Sequence, residues 1–559
     1  MSDRDQTPQL TLQDFEERFR DRHLLHGIVA KWAREKPDDI ALIDSDRGKR
    51  TSWVEFERTS TALALQLLRL GFRKGETFAS LLPLTSEHLF LEYACFKLGV
   101  IFVPLDLRLP AAEILRSVRL VNAVGFAFVR VPGIPDLQDF CSQLGGQQTA
   151  LRVLVQFAGE SDSVRGATAV GAFMQDAMTA ARDEALVSQF GRVAVDENDG
   201  ALVIFTTGST GSPKPALLSH RNISCQAMCI SQALLRGGGE LVTLVNLPPS
   251  HVGCQTELLM GTLFDGGTAV LVPVFDPTKS LQAIQEHRVT AVGQIPAMFQ
   301  FEWRLKNYDS YDFSSLDFAA YGGQQVPAAF IDKMSTMAPH VGTGLGLTET
   351  AGFCTYIRRD AVHARDCVTT LGHAMPIYPM TIRAAMRADR GAGEELPQGE
   401  LGHVCFRGPQ TFLGYINDPV ATAATISSDG YLYTGDMGAI HADGLRMAGR
   451  AKLVIKSGGY QVFPGDIENH FCVMDEVASC AVVGVDHPIL SEAIVAFVER
   501  KPDAELTTQM LEKHARGLAS YMRPRNYVIV NAGEIPLNRV AKADYMVLRE
   551  RARESVKDE

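Results

Sequence analysis

The chain has 559 residues, which at roughly 150 residues per domain corresponds to about three or four structural units. Hydrophobic residues make up 46%, charged residues 21% and aromatics 8%, proportions that support a sizeable core and exclude disorder or a fibre. With 54 Lys and Arg against 65 Asp and Glu the net charge is −11; this excludes nucleic acid as the main partner and leaves any anionic substrate to be held by backbone N–H groups and a few placed cations.

In chain order, the charged stretch up to Leu25 has helical period and lacks the uninterrupted apolar run of a signal peptide. No segment reaches the roughly 18 apolar residues needed to span a bilayer. The ten cysteines are scattered, with no CxxC pair and no Cys/His cluster at zinc spacing, and are read as reduced thiols. These features predict a cytoplasmic protein without an integral membrane segment.

ALID (41–44) reads as a strand and SDRGKR (45–50) as a turn. The stretch that follows has Ala, Leu and Phe at helical spacing after Thr51 or Ser52 as cap. ETFASLLPL (76–84) predicts a buried strand, and SEHLFLEYACFKLG (86–99) a helix capped by Ser86 and closed by Gly99. ELVTLVNLPP, GTAVLVPV, VTAVGQIP and DFAAYGG, between residues 240 and 323, are short apolar runs, each followed by a turn or helical stretch. The alternation predicts an α/β fold of layered, largely parallel sheets. From Gly399 the texture changes to short runs with Gly and Asp turns, predicting a β-rich, antiparallel subdomain. After Arg450 comes an α+β stretch with strands in VASCAVVGV, EAIVAFVER and NYVIVNAG and helices in ENHFCVMD and TTQMLEKHARGLASYM. The predicted division is 1–449 and 450–559, with the second part of self-standing size.

The strongest local signal is FTTGSTGSPKP (205–215), between the strand ALVIF and a helix predicted to begin near Ser219. Thr206, Thr207, Ser209 and Thr210 offer hydroxyl and backbone donors to phosphate oxygens, Gly208 and Gly211 allow close approach, and Lys214 adds a point charge. Pro213 and Pro215 flank the lysine, so the Walker A pattern fails. Further on come SHVG (250–253), YGGQ (321–324), GLGLTET (344–350), YTGD (433–436), Gly449-Arg450 and PLNRVAK (536–542). Taken singly, each has a plain competing account: a flexible loop, a structural histidine, a helix-capping acid, a turn aspartate, a solvated lysine.

Taken together and in this order, TTGSTGSPK with SHRN (219–222), YGGQ, GLGLTET, YTGD, Gly449-Arg450 and PLNRVAK resemble the motifs of the ANL superfamily of adenylate-forming enzymes, over about residues 25 to 545. The resemblance implies a large N-terminal ATP- and acyl-binding domain and a small mobile C-terminal domain. It also implies an acid–thiol ligase that joins a carboxylate to AMP, releases pyrophosphate and passes the acyl group to CoA. Thr206, Thr207, Gly208, Ser209, Thr210, Gly211 and Lys214 would then hold ATP phosphates; Gly322, Gly323, Gln324 and Leu345 would line the adenine site, and Asp436 and Arg450 would take the ribose. Thr348 would touch the α-phosphate, Glu349 would hold Mg²⁺, and Lys542 would bridge carboxylate and α-phosphate during adenylation. Lys452 would stand at the hinge of a domain rotation, with Gly458 and Gly459 beside the CoA tunnel. His251, Val252, Tyr321 and Gly322 would line the acyl pocket.

The chain departs from the pattern at Leu345, where an aromatic usually stacks on adenine, at Pro215 and Ala541, where glycine is usual, and at Leu453, where Asp is frequent. Around His251 the sequence reads as apolar, with Val252, Ile295, Met298 and Phe299 and neither a cation for a second carboxylate nor an acid for an amine. This predicts a hydrophobic monocarboxylate, aliphatic or aromatic, with ATP and CoA as co-substrates. The other readings are a stand-alone enzyme loading a carrier protein's phosphopantetheine, a non-catalytic AMP- or acyl-AMP-binding protein, and a kinase. Monomer and homodimer are both in keeping with the resemblance.

Overall fold

The computed structural model describes residues 10–134, 136–144, 150–206, 213–236, 240–358, 364–537 and 543–556. The chain divides into two compact units, one built from residues 1–206, 215–380 and 406–424, the other from 207–214, 381–405 and 425–559.

The first unit is built on two sheets. Its seven-stranded sheet has the order 340–342, 318–321, 291–294, 242–245, 268–271, 40–44, 49–52. All neighbours in it are parallel except the last pair. The four apolar runs between 240 and 323 thus become adjacent strands of one sheet, with both faces available for packing. The eight-stranded sheet runs 414–415, 215–219, 200–205, 101–104, 77–81, 125–128, 153–156, 168–169. It is parallel from 200–205 onward, with an antiparallel edge made by 215–219 and 414–415.

Helix Trp53–Arg69 is capped as predicted by Ser52, whose side chain accepts the Glu55 N–H, but Lys49–Ser52 pairs as a strand where a turn was predicted. In helix Ser86–Leu98 the cap is Thr85, accepting the His88 N–H. Ser86 is drawn away because its N–H and hydroxyl both reach the buried Asp44 carboxylate. Every residue of this helix except Glu87 is buried, and it packs against helix 53–69 and against strands of both sheets. Gly99 closes it at φ +68°, a conformation that glycine adopts without penalty. Helix His220–Cys229 begins at Ser219 with a capping box to Asn222; the strand 215–219 before it was not predicted.

In the second unit a four-stranded sheet has the order 380–383, 402–406, 432–441, 444–450, with the last pair antiparallel. A separate five-stranded sheet centres on strand Ser491–Arg500, paired antiparallel with Val477–His487 and parallel with Asn526–Val530. Its core holds Ile467, Phe471, Val482, Ile494, Val498 and Leu511. Helix Thr508–Ala515 is shorter than predicted: the Gly517 N–H folds back onto the His514 carbonyl, and a 3₁₀ turn follows at Ser520–Met522. All ten cysteines are free. Among the described residues no helix is long and apolar enough to cross a membrane.

Candidate functional site

Because the strands of the seven-stranded sheet run parallel, their carboxyl ends share one edge, where clefts in α/β sheets form. The loop after 242–245 carries His251, the end of 291–294 leads into Ile295, the end of 318–321 into Gly322–Gln324, and the end of 340–342 into Gly344–Thr350. Residues predicted from three separate motifs, together with Ile295, are thereby gathered along neighbouring strand ends.

The segment 344–353 is a tight hairpin. Gly346 and Leu347 pair with Phe353 and Gly352 around a 3₁₀ turn at Thr348–Thr350. The Thr350 hydroxyl donates to the Gly352 carbonyl at 2.6 Å, and the Leu345 N–H to the Thr355 hydroxyl at 2.8 Å. A Cβ on Gly344 would lie 2.0 Å from the Thr355 carbonyl oxygen, so only glycine fits there. Glu349, half-buried at the turn, accepts the Tyr415 O–H through Oε1 at 2.5 Å, and its own carbonyl accepts the Phe412 N–H. Neither Glu349 Oε2 nor the Thr348 hydroxyl makes a hydrogen bond among the described residues. A hard, anionic oxygen beside a hydroxyl is a donor set that suits Mg²⁺. Tyr415, which orients this carboxylate from 66 residues away, was missed by sequence reasoning; no local pattern marks it.

His251 is exposed and accepts the Gly253 N–H at Nδ1, which puts the proton of the neutral ring on Nε2. Val252 is buried. Tyr321 is only 2% exposed, packed on Phe330 with its O–H on the Cys367 carbonyl. What it brings to the strand end is therefore backbone. Gly322 is half-exposed, with its N–H on the Gln294 carbonyl, and Gly323 has φ +92°. Glu257 was also missed. It lies in the π-helical segment Gly253–Leu259, a geometry concentrated at functional sites, and its carboxyl group accepts the Phe353 N–H at 2.7 Å. Desolvation pushes its pKa up to about 7.

Of the phosphate loop, Thr206 is buried and Lys214 half-buried; Thr207, Gly208, Ser209, Thr210 and Gly211 lie outside the described residues, as does Lys542. The base of the loop is set by the antiparallel pairing of Phe205 with Pro215. Pro215 opens its strand, a position where a missing N–H is tolerated.

In the second unit, Asp436 and Arg450 face each other across the hairpin 432–441/444–450. Arg450 Nε lies 2.9 Å from Asp436 Oδ1, with the carboxylate nearly buried and the guanidinium half-exposed. The Asp436 N–H is held by the Thr434 hydroxyl, which itself donates to the Val404 carbonyl. Lys452 is exposed on the 3₁₀ turn Ala451–Leu453. Gly458 and Gly459, with φ +57° and +86°, form the two-residue turn between strands 455–457 and 460–462; a hairpin of this kind calls for positive φ at both positions. The ends of the lysine loop are tied by the pairing of Leu537 with Ala543. The one grouping of metal-ligand types among the described residues, Glu16, His23 and Glu197, is cross-linked by Arg221, which pairs with both carboxylates.

Residues 29–416 match the family model of the AMP-binding enzyme, and 466–542 match that of the AMP-binding enzyme C-terminal domain. A feruloyl-CoA synthase of an Amycolatopsis species is 29% identical over 81% of this chain and 84% of its own length. A 3-[(3aS,4S,7aS)-7a-methyl-1,5-dioxo-octahydro-1H-inden-4-yl]propanoyl:CoA ligase of Mycobacterium tuberculosis is 30% identical over 95% of this chain and 99% of its own. The fold is similar to that of ATP-bound MatB from Rhodopseudomonas palustris, with a TM-score of 0.78 at 23% identity over 94% of this chain and 98% of that one.

Proposed function

The chain belongs to the AMP-binding enzyme family and is an AMP-forming acid–CoA ligase acting on aromatic or aliphatic acids; from that premise we propose how its residues divide the work. A free carboxylate is a poor electrophile. Attack of its oxygen on the α-phosphorus of ATP, with pyrophosphate leaving, makes a mixed anhydride whose acyl carbon the CoA thiol can attack, releasing AMP. The first step brings two anions together, so positive charge and hydrogen donors at the phosphate are the main demand.

Lys214, Thr206 to Gly211 and the Thr348 hydroxyl orient the phosphates, and Lys542 bridges the carboxylate and the α-phosphate. Asp436, held by Arg450, accepts the ribose hydroxyls through its carboxylate. Gly322 to Gln324 and Leu345 bound the adenine, while His251, Val252 and Gly322 bound the acyl group. Glu349, kept in place by Tyr415, would hold Mg²⁺, which when bound neutralises phosphate charge. The domain boundary falls at 449/450, with Lys452 as the hinge that exchanges Lys542 for the Gly458–Gly459 turn between the two half-reactions. Scattered free cysteines support a cytoplasmic location.

The observation that carries this reading is the convergence of His251, Gly322–Gln324 and the Thr348–Glu349 turn at the carboxyl ends of adjacent parallel strands. The test is incubation of the purified protein with ATP, Mg²⁺ and a panel of aliphatic and aromatic acids, with and without CoA, with products identified by mass spectrometry. AMP and a CoA thioester are expected. ADP or a phosphorylated acid would overturn the reading, and acyl-AMP that accumulates despite CoA would move the acceptor to a carrier protein.

A further inference from the structure

The two large sheets repeat one another strand for strand. Starting from its antiparallel edge, the seven-stranded sheet runs 49–52, 40–44, 268–271, 242–245, 291–294, 318–321, 340–342. Inside its outermost strand 414–415, the eight-stranded sheet runs 215–219, 200–205, 101–104, 77–81, 125–128, 153–156, 168–169. In both series the first pair is antiparallel and every later pair parallel. The chain order agrees as well: 77–81 leads to 101–104 on one side and the chain then crosses to 125–128 on the other, just as 242–245 leads to 268–271 and then to 291–294. Val103-Pro104 and Val272-Pro273, at the carboxyl ends of matching strands, are a trace of the repeat in the sequence.

Such a reversal of direction is a topological switch point, where open α/β sheets bind ligands. At the switch point of the seven-stranded sheet stand the segments assigned above to the acyl group. At that of the eight-stranded sheet lies a cleft of about 470 Å³, within the roughly 300–1,000 Å³ usual for small-molecule sites. Its walls are the counterparts of those same segments. Pro83 and Thr85 follow 77–81 as His251 follows 242–245, and Val129 follows 125–128 as Ile295 follows 291–294. Phe157 to Gly159 follow 153–156 as Gly322 to Gln324 follow 318–321. Arg47, also in the lining, lies in the turn between 40–44 and 49–52, the counterpart of the phosphate loop between 200–205 and 215–219.

One segment differs in a way that bears on chemistry. After 340–342 the chain forms the hairpin that carries Thr348 and Glu349, whereas after 168–169 it enters helix Val170–Ala180 directly, with no acidic residue in the first turn. The second cleft thus has no counterpart of the groups proposed for Mg²⁺ and the α-phosphate. Its walls are apolar at Pro83, Val129, Phe157 and Val170, with Arg47 as the cation. Arg47 pairs with Glu87 at 2.5 Å and with Asp44 at 3.0 Å, and Lys49 reaches Glu87 at 3.2 Å. Two carboxylates beside the guanidinium repel a polyphosphate, while a single carboxylate can take Arg47 as Lys49 keeps Glu87 paired.

We propose that this cleft is a second, non-catalytic site for hydrophobic monocarboxylic acids, with the hydrocarbon against Val129, Phe157 and Val170 and the carboxylate on Arg47. Binding there needs no turnover, so the site and the ligase reading stand or fall separately.

The test is photolabelling of the full chain, without ATP, by decanoic acid carrying a diazirine at the far end of its chain and by the methyl ester of the same compound, with the label located by mass spectrometry. In wild type the acid is expected to label residues at 83–85, 129, 157–159 or 170–171, and excess decanoate to displace it. Gly171→Trp, at a position where a Cβ would meet nothing within 4 Å, should fill the cleft and abolish that label while sparing label elsewhere. Arg47→Ala should raise the acid concentration for half-maximal label about tenfold or more and leave the weaker ester label unchanged. No label in these stretches, label that decanoate does not displace, label undiminished in Gly171→Trp, or an ester as effective as the acid would each overturn the proposal. Should Gly171→Trp fail to fold, Arg47→Ala decides: its side chain is about half exposed, and an unchanged half-maximal concentration overturns the site.

Discussion

The strand ends of the first unit and the hairpins of the second place functional groups by different physics. At the parallel sheet, position follows from topology: four strands pointing the same way deliver His251, Ile295, Gly322 and the 344–353 hairpin to one edge, and packing leaves no slack, as the 2.0 Å approach at Gly344 illustrates. In the second unit, position follows from register. Asp436 meets Arg450 because they pair across one ladder, and the Gly459 turn has open space around its Cβ position. The first arrangement suits a fixed cleft and the second suits groups that must be presented and withdrawn.

The widest gap between the two regions should come from Lys542→Ala. Adenylation, measured by pyrophosphate release, is expected to fall about 100-fold or more, while thioester formation from supplied acyl-AMP is largely spared; equal loss of both half-reactions would break the assignment. The next largest effect sets packing against conformation. Gly344→Ala should cost about 3 kcal/mol of stability because the Thr355 carbonyl cannot give way, whereas Gly459→Ala, strained by its positive φ alone, should cost about 1 kcal/mol. Denaturant titration of both variants checks the ordering.

A pH-dependent contrast follows from the first unit's core. Burial raises the Glu92 pKa to about 8 from an ordinary 4.5, so between these values the unfolded chain ionises and the folded one does not. Stability therefore falls as pH rises through that window. Glu92→Gln should be more stable than wild type by about 1–3 kcal/mol near pH 7.5, with the gap shrinking toward pH 4.5; a gap that stays constant on calorimetry would remove Glu92 as its source. Smallest of the four, Lys452→Pro should slow thioester formation about tenfold by restricting one hinge dihedral and leave adenylation near wild type. Unchanged overall turnover would place the hinge elsewhere.

Much of this was legible before any coordinates. Apolar runs bounded by turns located the strands, and Ser52, Ser219 and Gly99 marked helix ends through chemistry that acts within four residues. Thr348, Glu349, Asp436 and Arg450 could be named because the family motifs they resemble are short local runs. What escaped depends on contacts between distant segments. Glu257 sits in a stretch that reads as an ordinary helix with an outward acid, and only the π-helical turn and the 352–353 strand give it its place. Tyr321 was named for the acyl pocket, but its ring is drawn into the core by Phe330 and Cys367. The change of texture at Gly399 marks a β-rich stretch, but its grouping with the C-terminal residues depends on contacts between distant segments.

The edge strand Gly414–Tyr415 has a consequence for the order of synthesis. It completes the eight-stranded sheet by pairing with 215–219 and supplies the hydroxyl that Glu349 accepts. Until about two hundred further residues have left the ribosome, the hairpin at 200–219 carries an uncovered edge, of the kind that recruits other chains. A nascent chain arrested before residue 414 should therefore be prone to aggregation and responsive to chaperones, and one released shortly after 415 should not.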